Sequence, residues 1–240
     1  MTPLIYDQLV TWYRLLDPPA EHEAEADCYG RILMTARPSA RSLLELGAGA
    51  GHNALFMKRR FACTLTDLAP SMLELSRQLN PECEHALGDM RTLRLGRSFD
   101  VVFVHDAVCY MTSEQELLAA MRTAHAHLAP GGVALFVPDA DRESFTESTE
   151  LHELDDGERA LRCLTWSWAP DASGCVCLAE YALLLRERGE VKAYYDQHRE
   201  GLFSRATWSS LLEQAGFRAQ LVPRPLHDGG MEHAFLGVKR

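Results

Sequence analysis

Basic residues are scarce in this sequence, and long uncharged stretches are missing from it. Its 24 lysines and arginines stand against 34 aspartates and glutamates, which leaves a net charge of −10 at pH 7. Because duplex DNA and anionic membranes bind basic surfaces, this deficit argues against both as partners. No segment approaches the roughly 18 uncharged apolar residues of a membrane span, and residues 1–10 lack the basic-then-apolar order of a secretory signal. We therefore expect a cytoplasmic protein that binds neither nucleic acid nor a membrane.

Paired cysteine motifs are also missing, and the sequence shows no metal-binding pattern. The seven cysteines are an odd number and lie scattered along the chain, which argues against a disulfide scaffold. The one close pair, Cys175 and Cys177, is spaced so that both residues share a strand face, and it is not a C-x-x-C element. The ten histidines form no H-E-x-x-H motif. We expect reduced thiols and no metal site.

Hydrophobic residues are plentiful at 47% of the 240 residues, and in the middle of the chain they alternate between short runs and amphipathic stretches. The runs predict five strands: Ser42–Leu46, Ala62–Thr66, His85–Leu87, Asp100–Val104 and Val133–Val137. Between them, helices are predicted after Gly51, at Pro70, and at the capping box formed by Ser113 and Glu116. Strands that alternate with helices predict an α/β fold with a doubly wound parallel sheet.

Other patterns flank this core. Residues 1–37 are predicted to form a helical cap that carries Tyr6, Trp12 and Tyr13, and residues 38–139 form the core. Residues 140–202 predict an antiparallel β insertion after strand five, with strands at 161–168, 175–186 and 191–198. Residues 203–240 predict a helix between Ser204 and Gly216, and then a β-hairpin whose long loop passes through Gly229 and Gly230.

The most informative segment is a glycine turn at the end of the first strand. Gly47, Gly49 and Gly51 permit a sharp turn and a close approach of a ligand to the backbone, at the edge of the sheet where ligands bind in such folds. A dinucleotide fingerprint counted from Gly47 fails at His52, although one counted from Gly49 passes weakly. Glu45 would repel a pyrophosphate. The turn therefore favours a cofactor that presents an ammonium group and has no phosphates.

This arrangement resembles class I S-adenosylmethionine-dependent methyltransferases. The resemblance covers residues 41–139 and rests on five ordered elements: Glu45–Gly51, Asp67, Gly88–Met90, Asp100–Val102 leading to His105 and Asp106, and Leu128–Gly132. The family implies a seven-stranded, mostly parallel Rossmann-like sheet. It also implies S-adenosyl-L-methionine as the cofactor.

The resemblance also implies roles for individual residues. The three glycines would pack against the aminocarboxypropyl part of the cofactor, Glu45 would hold its ammonium group, and Asp67 would accept hydrogen bonds from both ribose hydroxyls. The other residues expected to contact the cofactor are Tyr6, Leu68, Met72, Asp89, Met90 and His105. Among these, Leu68 and Met90 would enclose the adenine, and Asp89 would accept from its amine.

Methyl transfer needs little help from the protein beyond alignment of the reacting atoms. If the acceptor must lose a proton, the candidate bases are His105, Asp106, Tyr110 and His198, of which the two histidines and Tyr110 form our catalytic set. An amine that loses its proton in solution requires no protein base.

The order of parts is also similar to N-methyltransferases that act on amino groups of nucleotide-linked deoxysugars. This likeness predicts a small-molecule acceptor methylated on nitrogen or oxygen, with an amino sugar as one candidate. A nucleotide-linked sugar would want a basic patch, for which Arg142, Arg199 and Arg205 are available. Two alternatives stay open: a cofactor-binding module without turnover, and an NAD(P)-dependent oxidoreductase that uses the Gly49–Ala54 match. A homodimer is also allowed.

Overall fold

The computed structural model describes residues 3–171, 174–225 and 231–240, and it contains two β-sheets. The strands are β1 Ser42–Leu46, β2 Ala62–Asp67, β3 Glu84–Leu87, β4 Phe99–His105, β5 Leu128–Val137, β6 Ser148–Asp155, β7 Arg159–Trp168, β8 Val176–Glu187, β9 Glu190–Gly201, β10 Phe217–Pro225 and β11 Met231–Lys239. The α-helices are α1 Tyr13–Leu16, α2 Glu23–Ala36, α3 His52–Met57, α4 Pro70–Leu79, α5 Glu114–Ala126 and α6 Arg205–Gln214.

The larger sheet has seven strands in the order β10-β11-β5-β4-β1-β2-β3. Strands β1 to β5 are parallel, and β11 and β10 add antiparallel at one edge. Helices cover both faces of this sheet, and successive side chains of a strand point to opposite faces. Val102 packs with the cluster that includes α5 and α6, whereas Val101 packs with the cluster that includes α2 and α3. The predicted seven-stranded Rossmann-like fold is confirmed.

The smaller sheet has four antiparallel strands, β6-β7-β8-β9, so the prediction of three strands was incomplete. The missed strand, β6, has the sequence STELHELD and is largely exposed. It lies at the edge of the sheet and pairs with β7 only. Because an edge strand of this kind buries little surface, it lacks the apolar run that identifies a buried strand in a sequence.

The N-terminal segment is not the continuous helix that we predicted around Tyr6, Trp12 and Tyr13. It consists of 3₁₀ turns at Leu4–Tyr6, Val10–Trp12 and Pro19–His22, with the single helical turn α1 between the last two. Tertiary packing holds this segment, since Ile5, Leu9 and Trp12 are buried against Leu161 and Leu183 of the four-stranded sheet. Its backbone hydrogen bonds are those of 3₁₀ turns, such as the Tyr6 amide to the Pro3 carbonyl at 3.1 Å and the Trp12 amide to the Leu9 carbonyl at 2.8 Å.

Several helix and strand boundaries differ by a few residues from those predicted from the sequence. Helix α3 ends at Met57 rather than Arg60, and β5 already begins at Leu128, so that it includes the predicted turn at 130–132. The hairpin of β10 and β11 is present, but its predicted loop through Gly229 and Gly230 lies outside the described residues. All seven cysteines are free. Within the described ranges, no helix has the length and apolar character needed to cross a membrane.

Candidate active site

A cavity of about 920 Å³ opens at the carboxyl ends of β1, β2 and β4. The glycine turn after β1 forms its floor, and the N-terminal segment and the four-stranded sheet contribute the opposite wall. The cavity thus lies at the sheet edge where the glycine pattern predicts a ligand, and it is large enough for a nucleoside together with a small acceptor.

Positive backbone φ angles make glycine necessary in this turn. The φ angles of Gly47, Gly49 and Gly51 are 76°, 53° and 75°. A Cβ atom on Gly47 would lie 2.3 Å from the Cβ of Ala107. One on Gly51 would lie 2.4 Å from Ser76 Oγ, and Gly51 is not among the residues that line the cavity. Gly47 and Gly49 therefore form the cavity wall, whereas Gly51 allows α3 to pack closely on α4.

Asp67, the last residue of β2, ties the glycine turn to the second strand. Its Oδ2 accepts a hydrogen bond from the Gly49 amide at 2.8 Å, and its Oδ1 accepts one from the Ala69 amide at 2.8 Å. Burial raises the pKa of this carboxyl. Because a carboxylate has about four acceptor positions, Asp67 can still accept hydrogen bonds from a ligand. A buried carboxyl at this position fits the ribose diol that the resemblance predicts for Asp67.

Unpartnered acceptor atoms lie next to the glycine turn. Within the part of the chain that the structure describes, Glu45 Oε2, His52 Nε2 and Asn53 Oδ1 are buried and have no hydrogen-bond partner, and all three residues line the cavity. Glu45 is 3% exposed, and burial raises its pKa to about 8. A buried acceptor without a donor is costly. A ligand that brings several N–H groups, such as an ammonium, would remove this cost, so the residues present fit the amino-acid end of S-adenosylmethionine.

His52 belongs to a polar cluster that sequence reasoning missed. Its Nδ1 lies 3.1 Å from Asp17 Oδ2, and His22 lies 2.7 Å from both Asp17 and Glu25. Asp17 and His52 are 35 positions apart, so no local pattern connects them. The ligand atoms of Asp17, His22 and His52 lie within 4.8 Å of one another, which is a geometry that also suits a metal ion.

A proton competes with a metal for this cluster. Burial alone would lower the pKa of His22, but the hydrogen bonds and charges of Asp17 and Glu25 raise it to about 10. Burial likewise opposes ionisation of Asp17, yet hydrogen bonds from both histidines hold its pKa far below the ordinary value. At neutral pH the cluster is thus an imidazolium held between two carboxylates. The absence of a metal stays a prediction.

The residues expected around the adenine lie at the other end of the cavity. All three residues line the cavity. Leu68 is 63% exposed, which is unusual for a leucine, whereas Met72 is buried and Met90 is half-buried. Asp89 is bound by Arg91, whose Nη2 lies 2.6 Å from Oδ2, and this hydrogen bond lowers the pKa of the carboxyl. Asp89 therefore already has one partner, which the sequence did not indicate.

His105 lies at the end of β4 in a buried network. Its Nδ1 is 3.3 Å from the Asn53 amide nitrogen, so Nδ1 accepts and Nε2 carries the proton. Nε2 lies 3.2 Å from Tyr29 Oη and 3.0 Å from Asp106 Oδ1. Burial lowers the pKa of this histidine. The Nδ1 lone pair of His105 is taken up by the Asn53 amide, which cannot pass a proton on, whereas Nδ1 of a histidine bonded to a hydroxyl could receive one.

Tyr6, Tyr110 and His198 meet at the end of the cavity where we expect the methyl acceptor to bind, here called the acceptor end. The Tyr110 hydroxyl lies 3.0 Å from Tyr6 Oη and 3.0 Å from His198 Nδ1. The other ring nitrogen of His198 is 3.4 Å from Asp196 Oδ2, which also accepts from the Leu4 amide. Burial lowers the pKa of His198 and raises that of Tyr110. The three predicted residues therefore form one hydrogen-bonded chain.

The predicted basic patch does not face the cavity. Arg142 donates to the carbonyl oxygens of Gly174 and Leu202, and Arg205 is paired with Asp141 at 2.6 Å. Neither of these arginines nor Arg199 is among the cavity-lining residues. A sequence shows that these arginines carry positive charge, but it does not show the carbonyl oxygens and the carboxylate that bind Arg142 and Arg205.

The fold is the Rossmann-like fold of class I methyltransferases, and the comparisons with known proteins agree. A family model described as "Methyltransferase domain" matches residues 43–132. The chain is 27% identical to dTDP-4-amino-2,3,4,6-tetradeoxy-D-glucose N,N-dimethyltransferase of Saccharopolyspora spinosa, over 90% of this chain and 86% of the relative. It is 29% identical to dTDP-3-amino-3,4,6-trideoxy-alpha-D-glucopyranose N,N-dimethyltransferase of Streptomyces venezuelae, over 84% and 86%.

A solved structure shows that the likeness to sugar methyltransferases extends to the fold. SAM-bound CalS10, an amino pentose methyltransferase from Micromonospora echinaspora, superposes with a TM-score of 0.79 at 27% identity, over 91% of each chain. The protein is an S-adenosylmethionine-dependent methyltransferase, as the sequence predicted.

Proposed function

We propose that the protein methylates the amino nitrogen of an amino sugar. The observation that carries this proposal is the juxtaposition, in one cavity, of the glycine turn with Asp67 and the hydrogen-bonded chain of Tyr6, Tyr110 and His198. The relatives named above act on amino groups of deoxysugars, which supports nitrogen rather than oxygen as the acceptor atom.

Cofactor binding is assigned to residues around the turn. When bound, S-adenosylmethionine supplies a methyl group already activated on a sulfonium. Glu45 and His52 would accept from its ammonium group, and Asp67 would accept from the ribose hydroxyls. Leu68, Met72 and Met90 would cover the adenine, and this contact would bury the exposed leucine. Tyr6 and the backbone of His105 complete the set.

The chain of hydroxyls provides a route for the proton of the acceptor amine. In the structure the Tyr110 hydroxyl donates to Tyr6 Oη, so this route requires both hydroxyls to rotate. After that rotation, Tyr6 takes the proton of the amine as its own hydroxyl proton moves to Tyr110, and the hydroxyl proton of Tyr110 moves to His198 Nδ1. Asp196 lies against the second nitrogen of His198 and stabilises the imidazolium that results. His105 is assigned a positioning role, because its ring is held by Asn53 and Asp106.

Further expectations accompany this function. The acidic composition supports a small-molecule acceptor over nucleic acid. The free, scattered cysteines support a location in the cytoplasm. The division into segments 1–37, 38–139, 140–202 and 203–240 and the formation of a homodimer stay proposals.

The test is incubation with S-adenosylmethionine and a panel of amino-deoxysugars, with hydroxyl-only sugars of matched ring structure as controls. We expect one or two methyl groups on the amino nitrogen, located by tandem mass spectrometry, and no change in the controls. Methylation of the hydroxyl sugars would assign oxygen instead. Bound cofactor with no product from any sugar would favour a module without turnover.

A further inference from the structure

His52 lines the cofactor cavity with one of its two ring nitrogens unused. The residue is only 4% exposed. Its Nδ1 lies 3.1 Å from Oδ2 of Asp17, whereas its Nε2 has no hydrogen-bond partner within the described ranges. Since a buried polar atom without a partner is costly, Nε2 marks a position where a bound ligand completes the hydrogen bonding.

Asp17 determines which kind of hydrogen bond that nitrogen can make. An ionised carboxylate only accepts hydrogen bonds, so Nδ1 of His52 must carry the hydrogen that points to Asp17. A neutral imidazole has a single N–H group, and Nε2 therefore keeps its lone pair and accepts. An acceptor at this position suits the ammonium group at the amino-acid end of the cofactor, and it does not suit the carboxylate beside that group.

Other donors hold the carboxylate of Asp17 in this orientation. Nε2 of His22 lies 2.7 Å from Oδ1 of Asp17, and the Tyr13 hydroxyl donates to Oδ2 at 2.8 Å. The second ring nitrogen of His22 lies 2.7 Å from Oε1 of Glu25. Because both partners of His22 are carboxylates, its ring carries hydrogen on both nitrogens. Asp17 is thus kept ionised, with one oxygen held by His22 and the other facing His52.

The contact between Asp17 and His52 also joins two walls of the cavity. Asp17 follows α1 in the N-terminal segment, and His52 is the first residue of α3, directly after the glycine turn. The ring centroids of Tyr13 and His52 are 5.5 Å apart, and those of His22 and His52 are 5.0 Å apart. The imidazole of His52 is therefore enclosed by the N-terminal segment, and these contacts fix the direction in which Nε2 points.

We infer that Asp17 is a positioning residue for cofactor binding: it holds His52 in the tautomer whose Nε2 accepts a hydrogen bond from the ammonium group of S-adenosylmethionine. This inference rests on the proposed function, which assigns that ammonium group to Glu45 and His52, and it extends the site to the N-terminal segment. Without the carboxylate, Nδ1 loses its acceptor, and the ring can carry its hydrogen on Nε2 instead. That hydrogen would then face the ammonium group, which has no lone pair to accept it.

The test compares two sulfur nucleosides, of which only one has the amino-acid end. S-adenosylhomocysteine carries the ammonium and carboxylate groups, whereas methylthioadenosine has a methyl group in their place. Calorimetric titration measures the dissociation constant of each, with displacement by S-adenosylhomocysteine where binding is weak. We expect Asp17→Asn to bind S-adenosylhomocysteine about tenfold more weakly than the wild-type protein, and methylthioadenosine equally well. A general loss of structure would weaken both nucleosides, so the ratio of the two constants isolates the positioning role.

Further variants test whether Asp17 acts through His52. His52→Asn keeps an N–H group for Asp17 but has no atom that reaches the position of Nε2, so it should show the same selective loss, even if Asp17→Asn folds poorly. The double variant should bind no more weakly than His52→Asn alone, because residues that act as one unit are not additive. His52→Gln brings an amide oxygen near the position of Nε2 and should lose much less. The matched control is Asp27→Asn, which removes the same charge from a pair with Arg60 outside the cavity and should bind both nucleosides like the wild-type protein.

Each outcome has a distinct meaning. Equal losses for both nucleosides in Asp17→Asn, or no loss for either, would overturn this inference and leave the proposed function intact, since methylation of the amino sugars is measured separately. Losses that add up in the double variant would overturn it as well, because Asp17 would then act independently of His52. If the wild-type protein binds both nucleosides equally tightly, the ammonium group is not bound at Glu45 and His52, and the cofactor assignment in the proposed function fails together with this inference.

Discussion

The hydroxyl of Tyr110 lies 3.0 Å from Nδ1 of His198, although the two residues are 88 positions apart in the chain. Tyr110 ends the 3₁₀ turn that follows β4, and His198 lies on β9 of the four-stranded sheet. Tyr6 joins them from the N-terminal segment. The acceptor end is therefore assembled from three distant segments, and its chemistry depends on how they pack together.

Replacement of His198 should impair proton removal without loss of cofactor binding. We expect His198→Gln to lower kcat by about 100-fold near pH 7, which is the lower range for general base catalysis. The defect should shrink at high pH, where the acceptor amine is unprotonated in solution. The measurement is kcat as a function of pH for the wild-type protein and the variant.

Tyr110→Phe is the companion variant, because it removes the hydroxyl that connects Tyr6 to His198 in the same hydrogen-bonded chain. It should give the same change in the pH profile, and both variants should bind S-adenosylhomocysteine like the wild-type protein. A loss of equal size at every pH would mean that His198 has a structural role only.

Substitution of Gly47 should destabilise the protein because a side chain there would clash with Ala107. Gly47→Ala forces a Cβ to within 2.3 Å of Ala107 Cβ at a φ of 76°. We expect a loss of roughly 2–4 kcal/mol in the free energy of unfolding, from backbone strain and overpacking together. Gly96→Ala is the control, since its φ is 69° but no atom lies within 4 Å. Urea denaturation compares the two, and equal losses would contradict the close contact.

Glu45 should make the stability of the ligand-free protein fall as pH rises. Burial raises its pKa to about 8, from 4.5, so the folded state holds a proton that the unfolded chain releases. The native protein therefore loses stability between about pH 4.5 and pH 8. Glu45→Gln removes this loss and should be more stable than the wild-type protein at pH 8, on the order of 2 kcal/mol, but not at pH 4.

The check on Glu45 is denaturant unfolding at both pH values, with and without S-adenosylhomocysteine. S-adenosylhomocysteine should stabilise the wild-type protein more than the variant, because in the variant the ammonium group of the ligand has no ionised carboxylate as a partner. A variant that is less stable at every pH would show that Glu45 is satisfied without a ligand.

His22 should give stability that is lost at alkaline pH. Its pKa is raised to about 10, above the ordinary 6.5, because Asp17 and Glu25 outweigh the effect of burial. Its contribution is therefore complete below pH 6.5 and disappears as pH rises through 10. His22→Gln should be less stable than the wild-type protein at pH 6, and the difference should close by pH 10. Thermal unfolding across this range measures it, and a constant difference would speak against the ionised cluster.

Features that depend on local sequence could be predicted. The glycine turn, the carboxylate at the end of β2 and the Ser113 cap of α5 each rest on a few adjacent residues, and the structure contains all three. The cap is observed directly, with Ser113 Oγ accepting from the Glu116 amide at 3.2 Å.

Features that depend on distant partners could not be predicted. Strand β6 has no apolar run, and the 3₁₀ turns near Tyr6 are stabilised by packing on the four-stranded sheet. The ionised cluster of Asp17 and His22, and the pairing of Arg91 with Asp89, arise only when the chain brings these groups together. A sequence shows which residues carry charge but not which partners neutralise them.

The most direct test of cofactor binding is calorimetric titration of S-adenosylhomocysteine into the wild-type protein and into Asp67→Asn. The amide keeps one acceptor oxygen but loses the charge and half of the acceptor positions that face the ribose. We expect one site per chain in the wild-type protein, an affinity lower by about tenfold or more in the variant, and no binding of NAD to either. Equal affinity in both proteins, or binding of NAD in place of the sulfur nucleoside, would contradict the assignment of this cavity.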